Sequence, residues 1–387
     1  MTADPSVRRL TETREIILCC GPGGVGKTTI AASVAMLAAI SSPGRVLVLT
    51  IDPARRLADA LGLKGIGNEV TRIDDATLEA AGAVPRGELH CAMLDMKQSW
   101  DDLIARHAPD ERTAARILSN PLYQNITGRF VQSHDYIAME RLLELHSTGE
   151  WDLIVVDTPP TRNALDFLDA PARMADFFSS RLLRWLIAPA RGGLLGIAAR
   201  PFTQIADRIL GTQFLADITE FFLSLQSMYG GFVERARAVS RLLSDERTSF
   251  LVVATPEPAP LREAEFFLRE LASRRYEIGA LVLNRALPPS LSQPATEAAA
   301  DELGRDTASL AATVASELEL DLATAERVLG IAAHATREWS VVARREAAAR
   351  DRVADAAPVV VTVPSLDEEV GSLEGILALA GVLGDPA

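Results

Sequence analysis

Lysine is nearly missing from this 387-residue chain: of its 39 basic residues only Lys27, Lys64 and Lys97 are lysine, and arginine supplies the rest. A lysine kept at position 27, at the end of a glycine-rich run, therefore stands where an ammonium point charge is needed rather than any cation. Cysteine is also scarce. Cys19 and Cys20 sit side by side in an apolar run, Cys91 lies in another, and all three read as small buried strand residues. No C-x-x-C pair exists and the five histidines lack ligand spacing, which argues against zinc or a metal cluster. Long apolar stretches are missing too: 48% of the residues are hydrophobic, yet no run approaches the roughly 18 uninterrupted residues of a membrane helix. Residues Met1 to Arg14 carry charges and no apolar signal core, so a cytoplasmic location is expected. Positive charge is in deficit overall, and a net charge of −13 disfavours a general grip on nucleic acid or anionic lipid.

What is present is a series of short β-branched runs bounded by turns: Glu15 to Cys20, Arg45 to Ile51, Glu88 to Asp95, Asp152 to Asp157, Ser249 to Thr255, Ile278 to Asn284 and Pro358 to Val363. Helical patterns separate most of them, which predicts an α/β fold with a mainly parallel sheet flanked by helices, binding its ligand at the carboxyl ends of the strands. The expected organisation is a first core part over 1–171, an inserted helical subdomain over 172–243, and a second core part over 244–387 with a helical insertion at about 287–355. The apolar clusters of 172–243 either form that subdomain's own core, the commoner use of such a stripe, or line a groove for an apolar helix.

Gly21-Pro22-Gly23-Gly24-Val25-Gly26-Lys27-Thr28 fits G-x-x-x-x-G-K-[ST] at every position, between an apolar strand and an expected helix. This is the P-loop of nucleotide-binding proteins. The glycines let successive N–H groups curl round the β-phosphate of ATP, Lys27 bridges the β- and γ-oxygens, Thr28 offers its hydroxyl to Mg²⁺, and Thr29 supports the α-phosphate. Asp157 closes an apolar run, as a magnesium-organising acid should. Asp52 also follows a strand; it stands either as an acid facing the γ-phosphate, on magnesium and water, or as a helix N-cap before Pro53, and its place at the sheet's active edge favours the first.

Gly23 to Thr29 is the core of the deviant Walker A loop. Thr50-Ile51-Asp52-Pro53-Ala54 resembles switch I of the ArsA family, which includes the arsenite-pump and tail-anchored-protein-targeting ATPases, and Asp157-Thr158-Pro159-Pro160-Thr161 resembles its switch II. Val363-Pro364-Ser365-Leu366-Asp367 is similar to the family's adenine-side loop, and Asn284 to its adenine-reading asparagine. The resemblance covers the whole chain in order, and is greatest to the longer member of paired bacterial ArsA-like proteins. It implies a homodimer, or a heterodimer with a paralogue, in which ATP hydrolysis at the dimer interface switches the helical subdomain, with a hydrophobic helix as a conceivable client.

The chain departs from the family at Pro22, where members carry a lysine that reaches the partner's phosphates. Arg55, Arg56, Arg162 or a paralogue's own lysine would have to supply that charge. The alternative is a nucleotide-gated binding module with little turnover. Three thiols are too few for an arsenite site, the zinc staple of eukaryotic targeting ATPases is missing, and Leu373 to Pro386 lacks the basic residues of a membrane- or DNA-partitioning relative.

Overall fold

A computed structural model describes residues 6–51, 57–58, 61, 67–126, 131–159, 164–180, 220–366 and 371–385. The described strands are β1 (Ile16–Cys20), β2 (Arg45–Thr50), β3 (Thr71–Arg72), β4 (Glu88–Met93), β5 (Leu153–Asp157), β6 (Thr248–Ala254), β7 (Ile278–Ala286) and β8 (Val360–Pro364). They form one sheet in the order β3-β4-β2-β5-β1-β6-β7-β8. Every neighbouring pair is parallel except β3, which runs antiparallel to β4. Each run expected from the sequence is a strand here. The two-residue β3 carries no signal of its own, because two residues cannot display a period.

The apolar continuity of these strands follows from their burial on both faces. Along β1, Ile16, Leu18 and Cys20 join one core while Ile17 and Cys19 join the other. The helices Val7–Thr13, Lys27–Ser41 and Leu373–Gly384 cover the second face through Val7, Leu37 and Ile376. The helices Met96–His107, Val131–Ser147, Tyr229–Leu243 and Pro258–Ser273 cover the first through Leu103, Tyr136, Phe232 and Leu261. Beyond β7 the chain forms the helices Pro294–Arg305, Thr307–Glu317 and Leu322–Arg352 before returning as β8.

Within 172–243, residues 172–180 and 220–243 are described, and 181–219 lie outside the described residues. The described ends are tied to the core. Phe178, on the helix Ala164–Ser179, stacks on Phe232 with ring centroids 4.6 Å apart, a geometry favourable beyond the area it buries. Arg235 Nε donates to Glu140 at 2.9 Å and Tyr136 donates to the same carboxylate. Glu140 is 5% exposed, and burial raises its pKa despite the facing guanidinium, so the pair joins two helices by geometry more than by net energy.

Because seven of the eight strands share one direction, their carboxyl ends share one edge. That edge collects the Gly21 loop after β1, Asp157 at the end of β5, Asn284 near the end of β7 and Pro364 at the end of β8. In a sheet of this kind it is where ligands sit.

Candidate functional site

The loop after β1 turns back through left-handed backbone at Gly24, with φ 79°, and at Gly26, with φ 89°. Gly21 is required for a different reason: a Cβ there would lie 2.1 Å from the carbonyl oxygen of Val253 on β6. The loop is thus laid directly on the neighbouring strand. Gly26 caps the helix Lys27–Ser41 without any side-chain bond, so the partial positive charge of the helix N-terminus faces the loop's concavity. Gly23 and Gly24 are exposed, Val25 is buried, and Thr28 and Thr29 are half-buried. Lys27 is only 6% exposed, and its Nζ donates to the Pro22 carbonyl at 2.8 Å. The ammonium therefore lies inside the loop, across its mouth. Pro22 is itself buried.

Asp157 is fully buried at 0% exposure, and Thr50 Oγ1 donates to its Oδ2 at 2.9 Å. That bond crosses from β2 to β5 and orients the carboxylate at the strand ends. Thr158 Oγ1 donates to the Cys19 carbonyl at 2.9 Å, fastening the next residue to β1. Asn284 is 7% exposed, and its Nδ2 donates to the Val25 carbonyl at 2.8 Å. A Cβ on Gly26 would come within 2.4 Å of that nitrogen. Pro364 is half-buried at the end of β8, and Ser365 N donates to the Ala286 carbonyl at 2.8 Å.

The sheet accordingly brings together Gly21, Gly23, Gly24, Val25, Gly26, Lys27, Thr28, Thr29, Asp157, Asn284 and Pro364 at one edge. Asp52 lies outside the described residues, as do Arg55, Arg56 and Arg162. In the sequence Thr50 and Thr158 figure only as members of the Thr50–Ala54 and Asp157–Thr161 segments, and Arg285 is marked only by following Asn284.

A family model described as Anion-transporting ATPase matches residues 14–302. That span runs from the start of β1 past β7 and takes in the whole loop. The chain belongs to the ArsA anion-transporting ATPase family. Its relatives include ATPase ARSA2 of Chlamydomonas reinhardtii, 25% identical over 290 residues, 74% of this chain and 72% of that one. ATPase GET3 of Komagataella phaffii is 25% identical over 299 residues, covering 74% of this chain and 77% of its own. An uncharacterized protein of Streptomyces coelicolor is 32% identical over 277 residues, 70% of this chain and 62% of that one. The family is one of ATPases that use ATP with a metal ion, and the mainly parallel sheet is its P-loop architecture.

In this ArsA-family chain the three thiols are buried. Burial pushes the Cys20 and Cys91 thiols up to about 12, and raises Cys19 as well, with the nearby Asp157 charge adding to the effect. A thiol is reactive and metal-binding only as thiolate. The native protein is expected to consume no thiol reagent at pH 8, against three equivalents in guanidinium chloride; fast labelling of even one thiol in the native state would contradict this burial. Among the described residues no group of three His, Cys, Asp or Glu side chains is placed to hold a metal ion, and no helix is long and apolar enough to cross a membrane.

Proposed function

We propose that this chain is an ATPase that binds Mg-ATP on the Gly21–Thr29 loop and hydrolyses it at a dimer interface in the cytoplasm, switching the helical region 172–243 between arrangements that bind and release a partner or client. The observation that carries this reading is the buried Lys27 ammonium, 2.8 Å from the Pro22 carbonyl at a helix N-terminus that no side chain caps. Burying an ammonium is costly unless it is paired. An anionic ligand on the loop supplies that pairing, because Nζ at the Pro22 carbonyl already lies within the loop.

In this mechanism the N–H groups of Gly21, Gly23, Gly24, Val25 and Gly26 surround the β-phosphate. Lys27 spans β- and γ-oxygens, and Thr29 holds the α-phosphate. Magnesium would be held by the Thr28 hydroxyl together with Asp52 and Asp157, and it would neutralise charge developing on the transferred phosphoryl group. The carboxylate fixed by Thr50 suits that duty, since its orientation is set before any ligand arrives. Asp52 orients and deprotonates the attacking water. Asn284 and Pro364 border the base. Asp52→Asn is expected to keep ATP binding and to lower turnover by about a hundredfold or more; turnover equal to the parent's removes Asp52 from the mechanism.

Pro22 favours a second reading. It is buried and uncharged at the position where a family lysine would face the partner, so a homodimer lacks that stabilising charge at both sites. The charge then comes from Arg55, Arg56 or Arg162, or from a paralogous subunit, or else the chain is a nucleotide-gated binding module with little turnover. Phosphate release measured alone and with a paralogous subunit separates these. Turnover in either mixture supports the ATPase; bound ATP with turnover in neither supports the gated module and excludes the enzyme.

A further inference from the structure

β7 and β8 lose register at one point. Leu283 pairs with Thr362 and Ala286 with Pro364, so Asn284 and Arg285 together face the single residue Val363. This is a β-bulge, and Arg285 occupies it with φ 58°. A bulky residue rarely accepts left-handed backbone, and glycine would accept it without strain. In a regular strand consecutive side chains leave on opposite faces. The bulge cancels that alternation: Asn284 Nδ2 reaches the Val25 carbonyl at 2.8 Å, and Arg285 Nη1 reaches the Gly24 carbonyl at 3.4 Å. Two successive side chains of β7 thus converge on the phosphate loop. Bulges next to active sites commonly re-aim a side chain in this way.

The two contacts differ in character. Asn284 is buried and its bond is of ordinary length, so it braces the loop. Arg285 is exposed, and its bond is long for a charged donor. A long bond to one carbonyl is a weak reason to hold arginine in a strained conformation, while a guanidinium fork is built for phosphate oxygens. The sheet order tells which phosphates. β7 lies on the β6 side of β1, whereas Asp157, and the strand leading to Asp52, lie on the β5 and β2 side. Arg285 therefore approaches the loop from the side away from the acids that attend the transferred phosphate.

Resting on the ATP-binding reading above, we propose that Arg285 contacts the α- and β-phosphate oxygens of a nucleoside di- or triphosphate on the Gly21–Thr28 loop. It sets affinity and leaves the chemical step alone. The test is calorimetry of ATP, ADP and adenosine with magnesium on the full chain, on Arg285→Gly and Arg285→Lys, and on Lys27→Ala, with melting curves for all.

Arg285→Gly is expected to weaken ATP and ADP alike by about tenfold, the loss of one charge-assisted contact. KM should rise with kcat unchanged, and the melting temperature should be no lower than the parent's, because glycine relieves the strained φ. A residue serving only to shape the bulge would leave nucleotide affinity where it was. Arg285→Lys should recover part of the affinity. Affinities within twofold of the parent overturn the proposal, as does a loss confined to ATP, which would place the guanidinium on the γ-phosphate. An equal loss for adenosine, which would place it on the base, also overturns it. If the parent binds ATP, Lys27→Ala does not, and Arg285→Gly binds like the parent, this inference fails alone; a parent that binds neither nucleotide sinks the ATP reading itself.

Discussion

Replacing Lys27 with alanine is expected to weaken ATP binding by at least about a hundredfold, read by calorimetry with magnesium present. The ammonium lies in the loop at this edge, and 6% exposure puts it where water screens it little. A hydrogen bond to a charged group contributes about 1.5–3 kcal/mol, and bridging two phosphate oxygens doubles the contact, so about 3 kcal/mol or more is at stake. At 1.4 kcal/mol per tenfold that is two orders of magnitude. The change removes the bond to the Pro22 carbonyl at the loop's mouth, and a melting curve checks that the variant is folded. ATP affinity unchanged in a folded Lys27→Ala protein would take the ammonium out of the site.

The second large effect is on stability. Gly21→Ala would set a Cβ 2.1 Å from the Val253 carbonyl oxygen, at a φ of 146°. The obstacle is backbone of the adjacent strand, fixed by the β1–β6 pairing through Cys20 and Val252, so no side chain can swing aside. Overpacking costs about 1–3 kcal/mol, and an unfavourable φ adds about 1–2 kcal/mol, giving a loss of about 2–5 kcal/mol by guanidinium denaturation. Gly24→Ala is the control. It has φ 79° but meets nothing within 4 Å, so it should lose only the conformational share, about 1–2 kcal/mol. Equal losses in the two variants would show that the contact with β6 does not set the cost.

The P-loop was legible because its chemistry is local: eight consecutive residues carry the glycines, the lysine and the hydroxyl, and a strand and helix on either side complete the context. The place of Asp157 at the end of a buried strand was legible for a similar reason, as an acid closing an apolar run. The contacts made by Thr50, Thr158 and Arg285 were not. A threonine inside a β-branched strand is indistinguishable from any other until the sheet sets it opposite Asp157, and an arginine in an arginine-rich chain announces nothing. The strand β3 was missed because two residues make no pattern. The stretch 172–243 shows its apolar clusters plainly in the sequence, yet periodicity cannot separate a subdomain's own core from a surface that takes a client, because both call for the same stripe.

By itself the sequence determined the class of fold, the family and the presence of the P-loop motif. Each is written in short-range pattern: apolar runs buried on both faces, and one unbroken motif in which neighbouring residues do neighbouring work. Only the tertiary structure decided what lies against that loop. The parallel order of the strands sets Val253 under Gly21, Thr50 against Asp157, and the bulge of β7 over Gly24. Those residues lie far apart along the chain, and their contacts depend on strand register, which no local pattern encodes.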